Sequence, residues 1–363
     1  MMGMARTMDL SICIPSWNTR DLLAECLDSL PDGGVCDHEV IVADNGSKDG
    51  TVEMLRRRRP AVRLIANSHN LGYARANNQM LAVARGRYVL LLNSDTRVRP
   101  GALARLVGFL DSHPEAGAAG PRLLNAGGQL ERSWGRAGPC LLEEVGRALL
   151  LDRLFRVAPV QPFPVGRLTG AALLVRAIAA RQAGPLDTRF AHYAEDADWC
   201  WRLRRCGWQL FFVPTATIIH RGGASSQRAA GECFRLYFGT KRQFFAKHHG
   251  PAAGAALRSL LFFECLAKGA AWRLLADRRG RGGLIGRDRA RAYWAVVGDL
   301  LAPLSAPRPE GRGGGPKGLA TCREAGRLSR WPGPCLPPDS SSIAPMTTST
   351  AGRVRGCVQE QLP

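Results

Sequence analysis

The chain has 363 residues, of which 45% are hydrophobic, and its 50 lysines and arginines outnumber 30 aspartates and glutamates, for a formal net charge of +20. This length fits one large domain or two smaller ones, and the apolar content predicts a sizeable core, which excludes a wholly disordered chain. The charge favours partners that carry phosphate or an anionic surface: nucleotides, nucleic acid or a membrane.

The cysteines and the apolar runs exclude further classes of protein. Eleven scattered cysteines include no CxxC pair, a pattern typical of a reducing compartment rather than of a disulfide framework or a zinc site. Residues 1–8 carry a single arginine and no apolar signal segment, and no apolar run reaches the roughly 20 residues of a membrane-spanning helix. We therefore expect a cytoplasmic protein, either soluble or bound peripherally to the inner face of the plasma membrane.

Strand and helix patterns alternate along residues 9–120. Short apolar runs predict strands, and apolar residues at helical spacing predict the helices between them. The predicted strands are 10–14, 39–43, 62–65 and 87–92, and the predicted helices are 19–30, 49–58, 73–84 and 101–112. Such repeats predict an α/β fold in which a mostly parallel sheet has helices on both faces.

Polar residues follow three of these strands. They are Pro15-Ser16-Trp17-Asn18, Asp44-Asn45-Gly46-Ser47 and Asn93-Ser94-Asp95-Thr96. Because ligands bind at the carboxyl ends of the strands in such sheets, we expect these residues to share one edge near a ligand. Asp44 either accepts hydrogen bonds from a base or ribose or stabilises its own turn. Asp95, which we expect to be exposed, suits Mg²⁺ or Mn²⁺, with a diphosphate supplying further ligands.

A glycine-containing loop leads into the third predicted helix. Gly72 precedes first turns that carry Arg75 and Asn77. Helix N-termini and arginine side chains both favour phosphate. The dinucleotide-binding pattern GxGxxG is absent, so a nicotinamide cofactor gains no support from this loop.

The second half of the chain has a different pattern. Residues 121–130 predict a β-hairpin with its turn at 125–128, an irregular or helical insertion runs to about 160, and residues 168–175 and 208–214 predict strands. Two helices are expected within 251–300, and the Pro-, Gly- and Ser-rich residues beyond 303 predict a disordered tail. The apolar and basic residues of 255–275 fit either packing against the rest of the protein or contact with an anionic membrane.

Three carboxylates crowd together at Glu195, Asp196 and Asp198. Clustered carboxylates are costly unless protons, metal or hydrogen bonds compensate, as in many catalytic sites, although a solvated helix start favoured by the helix dipole is the other interpretation. Asp198 is expected to be structural, paired with Arg202 one helical turn later. At least one of the nearby tryptophans, Trp199 and Trp201, should be in the core.

These segments together resemble the large inverting glycosyltransferase family with the GT-A fold, family 2, and most closely its rhamnosyltransferase-like subgroup. The resemblance covers roughly residues 8 to 250 and rests on Ile14–Asn18, Val42–Thr51, Asn70–Asn78, Leu91–Thr96, Leu168–Val175, Glu195–Arg202 and His220–Ser225. It implies a layout of an N-terminal extension (1–8), a nucleotide-sugar-binding half (9–120), an acceptor and catalytic half (121–250), C-terminal helices (251–302) and the tail (303–363).

The resemblance also implies roles for individual residues. Asp196 matches the catalytic base, and Glu195 would orient it or bind the acceptor. Asp95 matches the last aspartate of the Asp-x-Asp metal motif, whose first position is Asn93 here, and His220 lies where relatives place a group near the diphosphate or metal; a structural strand-end histidine is the alternative. The other implied contacts of the donor and its nucleotide are Pro15, Ser16, Trp17, Asp44, Gly72, Arg75, Asn77, Ser94, Thr169, Gly170 and Ala171.

The resemblance therefore implies an enzyme that uses a nucleotide-sugar donor, with dTDP-L-rhamnose expected, a glycan or lipid-linked acceptor, and Mg²⁺ or Mn²⁺. No nucleic-acid partner is expected, since the basic run 56–59 suits a solvated helix end. Two alternatives stay open at this stage. A nucleotidyltransferase normally has a Gly-rich, basic loop after its first strand, where this chain has Pro15–Asn18. A non-catalytic basic binding protein would tolerate replacement of Asp44, Asp95 and Asp196.

Overall fold

A computed structural model describes residues 8–131, 133–135, 138–149, 160–190, 193–222, 230–275 and 281–301. The predicted disordered tail and residues 132, 136–137 and 150–159 of the predicted insertion lie outside the described residues. No helix in the described ranges is both long enough and apolar enough to span a membrane.

The described strands are β1 Leu10–Ser16, β2 His38–Asp44, β3 Arg63–Ala66, β4 Tyr88–Leu92, β5 Thr96–Val98, β6 Ala116–Leu124, β7 Leu130–Glu131, β8 Trp134–Gly135, β9 Phe163–Val165, β10 Arg167–Leu168, β11 Ala172–Arg176 and β12 Gln209–His220. The described helices are α1 Arg20–Ser29, α2 Thr51–Arg58, α3 Tyr73–Leu81, α4 Ala102–Ser112, α5 Leu141–Ala148, α6 Ala177–Ala183, α7 Glu195–Arg205, α8 Ala230–His248, α9 Gly250–Leu275 and α10 Arg281–Leu301.

The main sheet has the order β3-β2-β1-β4-β11-β6-β12-β5. Neighbours from β3 to β4 are parallel, as the alternating strand and helix patterns predict. Strand β11 runs antiparallel to both β4 and β6, and β12 is parallel to β6. The α/β fold class with a mostly parallel sheet is therefore confirmed.

The antiparallel strand β11 positions residues that precede it. Ala172 pairs with Leu92, the last residue of β4, so the chain just before β11 meets the chain just after β4. Asn93 N donates to Ala171 O at 3.0 Å at this junction. An antiparallel neighbour thus adds the 169–171 segment to the edge where the parallel strands end.

Several predicted elements differ from the structure. The strand predicted at 168–175 is split into β10 and β11 by residues 169–171, and the strand predicted at 208–214 continues to His220 because β12 also pairs with β5. The long helix α8 was not predicted. The hairpin at 121–130 and two helices within 251–300 are confirmed.

Alternate residues along the strands pack on opposite faces of the sheet. On β1, Ile12 and Ile14 join one buried cluster while Cys13 joins another, and on β4 Leu90 and Leu91 divide in the same way. A third cluster joins α7 to α8, α9 and α10. The C-terminal helices are therefore packed on the layer that carries the acidic segment.

Candidate active site

The Asp44 carboxylate ends β2 and is completely buried. Its Oδ2 accepts a hydrogen bond from Ser47 N at 2.9 Å, whereas Oδ1 has no partner among the described residues. An unpartnered buried carboxylate oxygen is costly, so a ligand donor is a natural partner for it. The Ser47 contact fits the turn-stabilising interpretation, and Oδ1 has no protein donor among the described residues that would compete with the predicted base or ribose contact.

A chain of hydroxyls joins the ends of β1 and β4. Ser16 Oγ shares a hydrogen bond of 3.1 Å with Thr19 Oγ1, which shares one of 2.9 Å with Ser94 Oγ. All three side chains are buried, while Pro15 is half-buried and Trp17 is 40% exposed. Ser16 and Ser94 thus hold two strand exits together, and the indole of Trp17 is the side chain of this group that is open to a ligand.

The loop before α3 brings Arg75 to the surface. Gly72 has a φ of 82°, which favours glycine, and stands immediately before the helix. Arg75 is exposed in the first turn of α3. Asn77, in contrast, is fully buried and donates from Nδ2 to Tyr73 O at 3.0 Å. In this structure Asn77 supports the helix start, so its predicted donor contact is not supported, whereas Arg75 is exposed.

Asp95 was expected to be exposed, and this expectation is wrong, because only 9% of the residue is accessible. Pairing of β12 with β5 covers it: His220 pairs with Thr96, and His220 Nε2 lies 3.3 Å from Asp95 Oδ1. On its other side, His220 Nδ1 lies 2.9 Å from Glu131 Oε2. Asp95 and His220, both buried, thus form one charged cluster with the partly exposed Glu131.

His220 is the cation of that cluster. Burial lowers its pKa, but hydrogen bonds and charges from Asp95 and Glu131 outweigh this effect and raise the pKa to about 10. The imidazolium therefore pairs with both carboxylates. Glu131 was missed by sequence reasoning, since a single glutamate in a hairpin gives no local signal of this contact.

The residues near Asp95 fit a divalent cation only in part. No group of three or more His, Cys, Asp or Glu side chains suited to a metal occurs in the described parts of the chain. Asp95 and His220 offer an oxygen and a nitrogen donor, and His220 would need to lose its proton to act as a ligand. Mg²⁺ is commonly held by one or two carboxylates plus substrate phosphates, so Asp95 together with a diphosphate fits such an ion.

Asp196 lies in the first turn of α7, just after a strained segment. Tyr193 and Ala194 have φ values of 69° and 68°, which are uncommon for residues other than glycine and often occur at functional sites. The side chain of Asp196 is half-buried, and its Oδ2 accepts a hydrogen bond from Gly170 N at 2.9 Å. The carboxylate is therefore held in one orientation while remaining accessible.

The backbone of Gly170 links α3 to Asp196. Tyr73 Oη donates to Gly170 O at 2.7 Å, while Gly170 N donates to Asp196. Burial and the charges of Glu195 and Asp196 raise the pKa of Tyr73 well above its usual value, so the phenol keeps its proton. Thr169 N donates to Ser133 O at 2.9 Å and anchors the same segment. Tyr73 was not among the predicted site residues, and its position beside Gly72 was the available signal.

The other two carboxylates of the cluster have different environments. Glu195 is buried, its Oε2 has no partner among the described residues, and burial together with nearby Asp196 raises its pKa well above the usual range. Asp198 is fully buried and accepts hydrogen bonds from Arg202, Lys247 and His248. The predicted pairing of Asp198 with Arg202 is confirmed, and Asp196 is the accessible member of the three.

Comparison with known proteins gives a consistent result. The profile described as "Glycosyl transferase family 2" matches residues 11–166. An N-acetylglucosaminyl-diphospho-decaprenol L-rhamnosyltransferase of Mycobacterium tuberculosis is 32% identical over an alignment of 240 residues, and the match covers 60% of this chain and 78% of the relative. A pre-mycofactocin glycosyltransferase of the same species is 31% identical over 219 residues, which are 58% of this chain and 42% of that protein.

A solved structure supports the fold. A mannosyltransferase from Pyrobaculum calidifontis, in complex with GDP-Man and Mn²⁺, superimposes with a TM-score of 0.51 and 19% identity, covering 80% of this chain and 86% of that one. At this identity the likeness bears on the fold alone.

Proposed function

This chain belongs to glycosyl transferase family 2, and we propose that it inverts the anomeric carbon of a nucleoside diphosphate sugar as it transfers the sugar to a hydroxyl of a lipid-linked glycan. The observation that carries the inverting mechanism is the half-buried Asp196, oriented by Gly170 N at 2.9 Å. As a glycosyltransferase, the protein is neither a nucleotidyltransferase nor a non-catalytic basic protein.

Asp196 is the general base in this mechanism. The acceptor hydroxyl attacks the anomeric carbon from the side opposite the nucleoside diphosphate, and Asp196 accepts the proton of that hydroxyl as the new bond forms. One carboxylate is enough because no covalent enzyme intermediate forms, in contrast to retaining hydrolases. Glu195 lies behind Asp196 in a buried position and contributes to its electrostatic environment rather than contacting the acceptor.

The diphosphate leaves from the side of β4 and β5. Asp95 is the residue that would hold Mg²⁺ or Mn²⁺, with His220 beside it. Such an ion, when bound, neutralises negative charge that develops on the leaving diphosphate. The exposed Arg75 and the N-terminus of α3 add positive potential for the phosphates. Thr169 and Gly170, which lie between Asp196 and β4, are placed to line the sugar.

The nucleotide contacts are assigned to the ends of β1 and β2. Asp44 Oδ1 lacks a protein partner among the described residues and suits a donor group of the base or ribose. The exposed indole of Trp17 offers an aromatic face for stacking.

The donor and acceptor are inferred from the chemistry of a relative. The name of the rhamnosyltransferase of Mycobacterium tuberculosis specifies an acceptor in which N-acetylglucosamine is joined to a lipid through a diphosphate. This chain covers 78% of the length of that relative. We assign dTDP-L-rhamnose as the donor and a polyprenyl-diphosphate-linked N-acetylglucosamine as the acceptor, as in the synthesis of cell-wall polysaccharide.

A donor screen tests this function. The purified full chain is incubated with a lipid-linked N-acetylglucosamine, Mg²⁺ or Mn²⁺, and separately with dTDP-L-rhamnose, UDP-sugars or GDP-mannose, and released nucleoside diphosphate is measured. The expected result is acceptor-dependent release of dTDP and a product of inverted anomeric configuration. Turnover of another donor would overturn the rhamnose assignment, and a product of retained configuration would overturn the mechanism.

Replacing Asp95 with asparagine is expected to weaken the apparent affinity for Mn²⁺ by at least about tenfold, because the substitution removes the negatively charged carboxylate that would bind the ion. The measurement is the Mn²⁺ concentration that gives half-maximal turnover. Asp21→Asn is the matched control, since it removes the same charge from a side chain that is 82% exposed on α1. An unchanged Mn²⁺ dependence in Asp95→Asn would contradict the metal assignment.

Replacing Gly170 with alanine is expected to lower kcat by at least about tenfold, because a misplaced catalytic group loses rate steeply. A Cβ at this position would lie 2.8 Å from Tyr73 Oη and 3.4 Å from Asp196 Cβ. Adding Tyr73→Phe removes the closest atom, so the double variant should recover part of the rate lost by Gly170→Ala. Strictly additive losses in this double-mutant cycle would show that the two side chains do not compete for the same space.

A further inference from the structure

The helix α9 has an outward face that is almost entirely apolar. Seven residues at helical spacing form an exposed stripe: Ala252, Ala256, Ser259, Phe263, Ala267, Ala270 and Leu274. Phe263 is 65% exposed and Leu274 is 75% exposed. We call this set the α9 stripe. A surface helix of a water-soluble protein normally turns its apolar face inward and its charges outward.

The charged residues in the middle of α9 contact neighbouring side chains and helices, whereas Arg273, near its end, is exposed. Glu264 is buried and accepts hydrogen bonds from both guanidinium ends of Arg147 on α5, at 2.9 and 2.7 Å, and from Lys268 at 2.6 Å. Arg258 donates to Leu300 O at 2.6 Å at the end of α10. Buried charges of this kind are retained only with such partners, so these contacts fix the rotation of α9 about its own axis.

The inner side of α9 is continuous with the layer that carries the proposed base. Leu257 and Leu261 of α9 belong to the same buried cluster as Ala197, which follows Asp196, and as Phe244 of α8. The α9 stripe is therefore on the outer side of the helical layer that packs against α7.

We propose that the α9 stripe is the surface on which this protein lies on an anionic lipid bilayer, with α9 parallel to the membrane plane. The inference rests on the proposed function, because a lipid-linked acceptor is held in a membrane. A helix of 26 residues is about 39 Å long, and it would bury its apolar face at the boundary between headgroups and acyl chains.

Charge complementarity favours an anionic membrane, rather than a second copy of the chain, as the partner that covers the α9 stripe. A net charge of +20 disfavours self-association and favours an anionic surface. Arg273 is exposed next to Leu274 at the end of the stripe. In the first half of α10, Arg287 and Arg291 are exposed as well, with Arg291 3.4 Å from the exposed Asp288. Each basic residue near an anionic bilayer adds to the attraction, which salt screens.

Vesicle binding by the full chain tests the proposal. Wild type is expected to co-sediment with vesicles of phosphatidylcholine and phosphatidylglycerol, to bind pure phosphatidylcholine more weakly, and to lose affinity as salt is raised. Phe263→Asp is expected to weaken binding to the mixed vesicles by at least about tenfold, since a negative charge replaces an aromatic side chain that the bilayer would otherwise bury. Ile178→Asp is the matched control, because it adds the same charge at an exposed apolar residue of α6 and should bind like wild type.

The outcomes are separable from those for the proposed function. Vesicle binding needs neither donor nor acceptor, and turnover of a water-soluble acceptor without a long lipid chain should be equal in Phe263→Asp and wild type. Unchanged vesicle binding by Phe263→Asp would overturn the membrane proposal. So would a wild-type dimer in solution that Phe263→Asp converts to a monomer, since the stripe would then be an interface between copies. Failure to turn over any nucleotide sugar would instead count against the proposed function.

Discussion

Replacing Asp196 with asparagine is expected to lower kcat by about 10²- to 10⁴-fold, the usual contribution of a general base. Asparagine keeps the shape of the side chain, and its single carbonyl oxygen can accept one of the two backbone hydrogen bonds that Asp196 receives, from Gly170 N at 2.9 Å and from Ala197 N at 2.7 Å. The donor KM should therefore stay near the wild-type value, and the free energy of unfolding should fall by at most about 1–3 kcal/mol. The measurement is the initial rate of acceptor-dependent release of nucleoside diphosphate.

The neighbouring Glu195 provides the control for this experiment. Burial and the charge of Asp196 raise the pKa of Glu195, so a neutral glutamine resembles its protonated form. We expect Glu195→Gln to lose less than about tenfold in kcat, far less than the loss expected for a general base. If Glu195→Gln lost most of the rate and Asp196→Asn lost little, the roles of the two carboxylates would be reversed.

Replacing Asp198 with alanine is expected to lower the free energy of unfolding by about 3–5 kcal/mol, the cost of removing one partner of a buried ion pair. Asp198 is fully buried, and the change would leave Arg202, Lys247 and His248 without their shared acceptor. The measurement is urea unfolding of the variant beside wild type. Asp28→Ala is the control, since this exposed partner of Arg59 should contribute at most about 1 kcal/mol.

The stability contributed by Asp198 also has an expected pH dependence. Burial raises its pKa, but hydrogen bonds and charges from His248, Arg202 and Lys247 outweigh this and hold the pKa below its usual value. A carboxyl with a depressed folded-state pKa stabilises the protein above its unfolded-state pKa, which is about 3.9, and loses that contribution as the pH falls through the folded-state value. The difference between wild type and Asp198→Ala should therefore shrink in acid. If Asp198→Ala lowered the free energy of unfolding at neutral pH by as little as Asp28→Ala does, the structural role of Asp198 would be contradicted.

The acidic segment Glu195–Asp198 shows which contacts a sequence pattern can predict and which it cannot. Its composition singled out Glu195, Asp196 and Asp198, and the helical spacing predicted the contact of Asp198 with Arg202, which the structure confirms. The same spacing could not show that Lys247 and His248 complete that site, since they lie 49 and 50 residues away on α8.

The burial of Asp95 could not be predicted from the sequence, because it depends on strand pairing. The polar exit of β4 lies at the edge where the parallel strands end, as predicted. The predicted exposure of Asp95 is wrong, because β12 pairs with β5 and covers it. A single strand pattern does not tell which strands become neighbours.

By itself the sequence determined the α/β class, the order of the first four strands and four helices with the exception of the short strand β5, and the polar character of the strand exits, because periodicity and strand-end composition are local properties. It also determined the net charge and the resemblance to family 2. The tertiary structure alone decided that Tyr73 contacts Gly170 across 97 residues, that His220 contacts Glu131 across 89, and that α9 leaves Phe263 and Leu274 exposed while it buries Leu257 and Leu261. Those contacts depend on strand order and helix packing, which sum many weak interactions between distant residues and leave no local pattern.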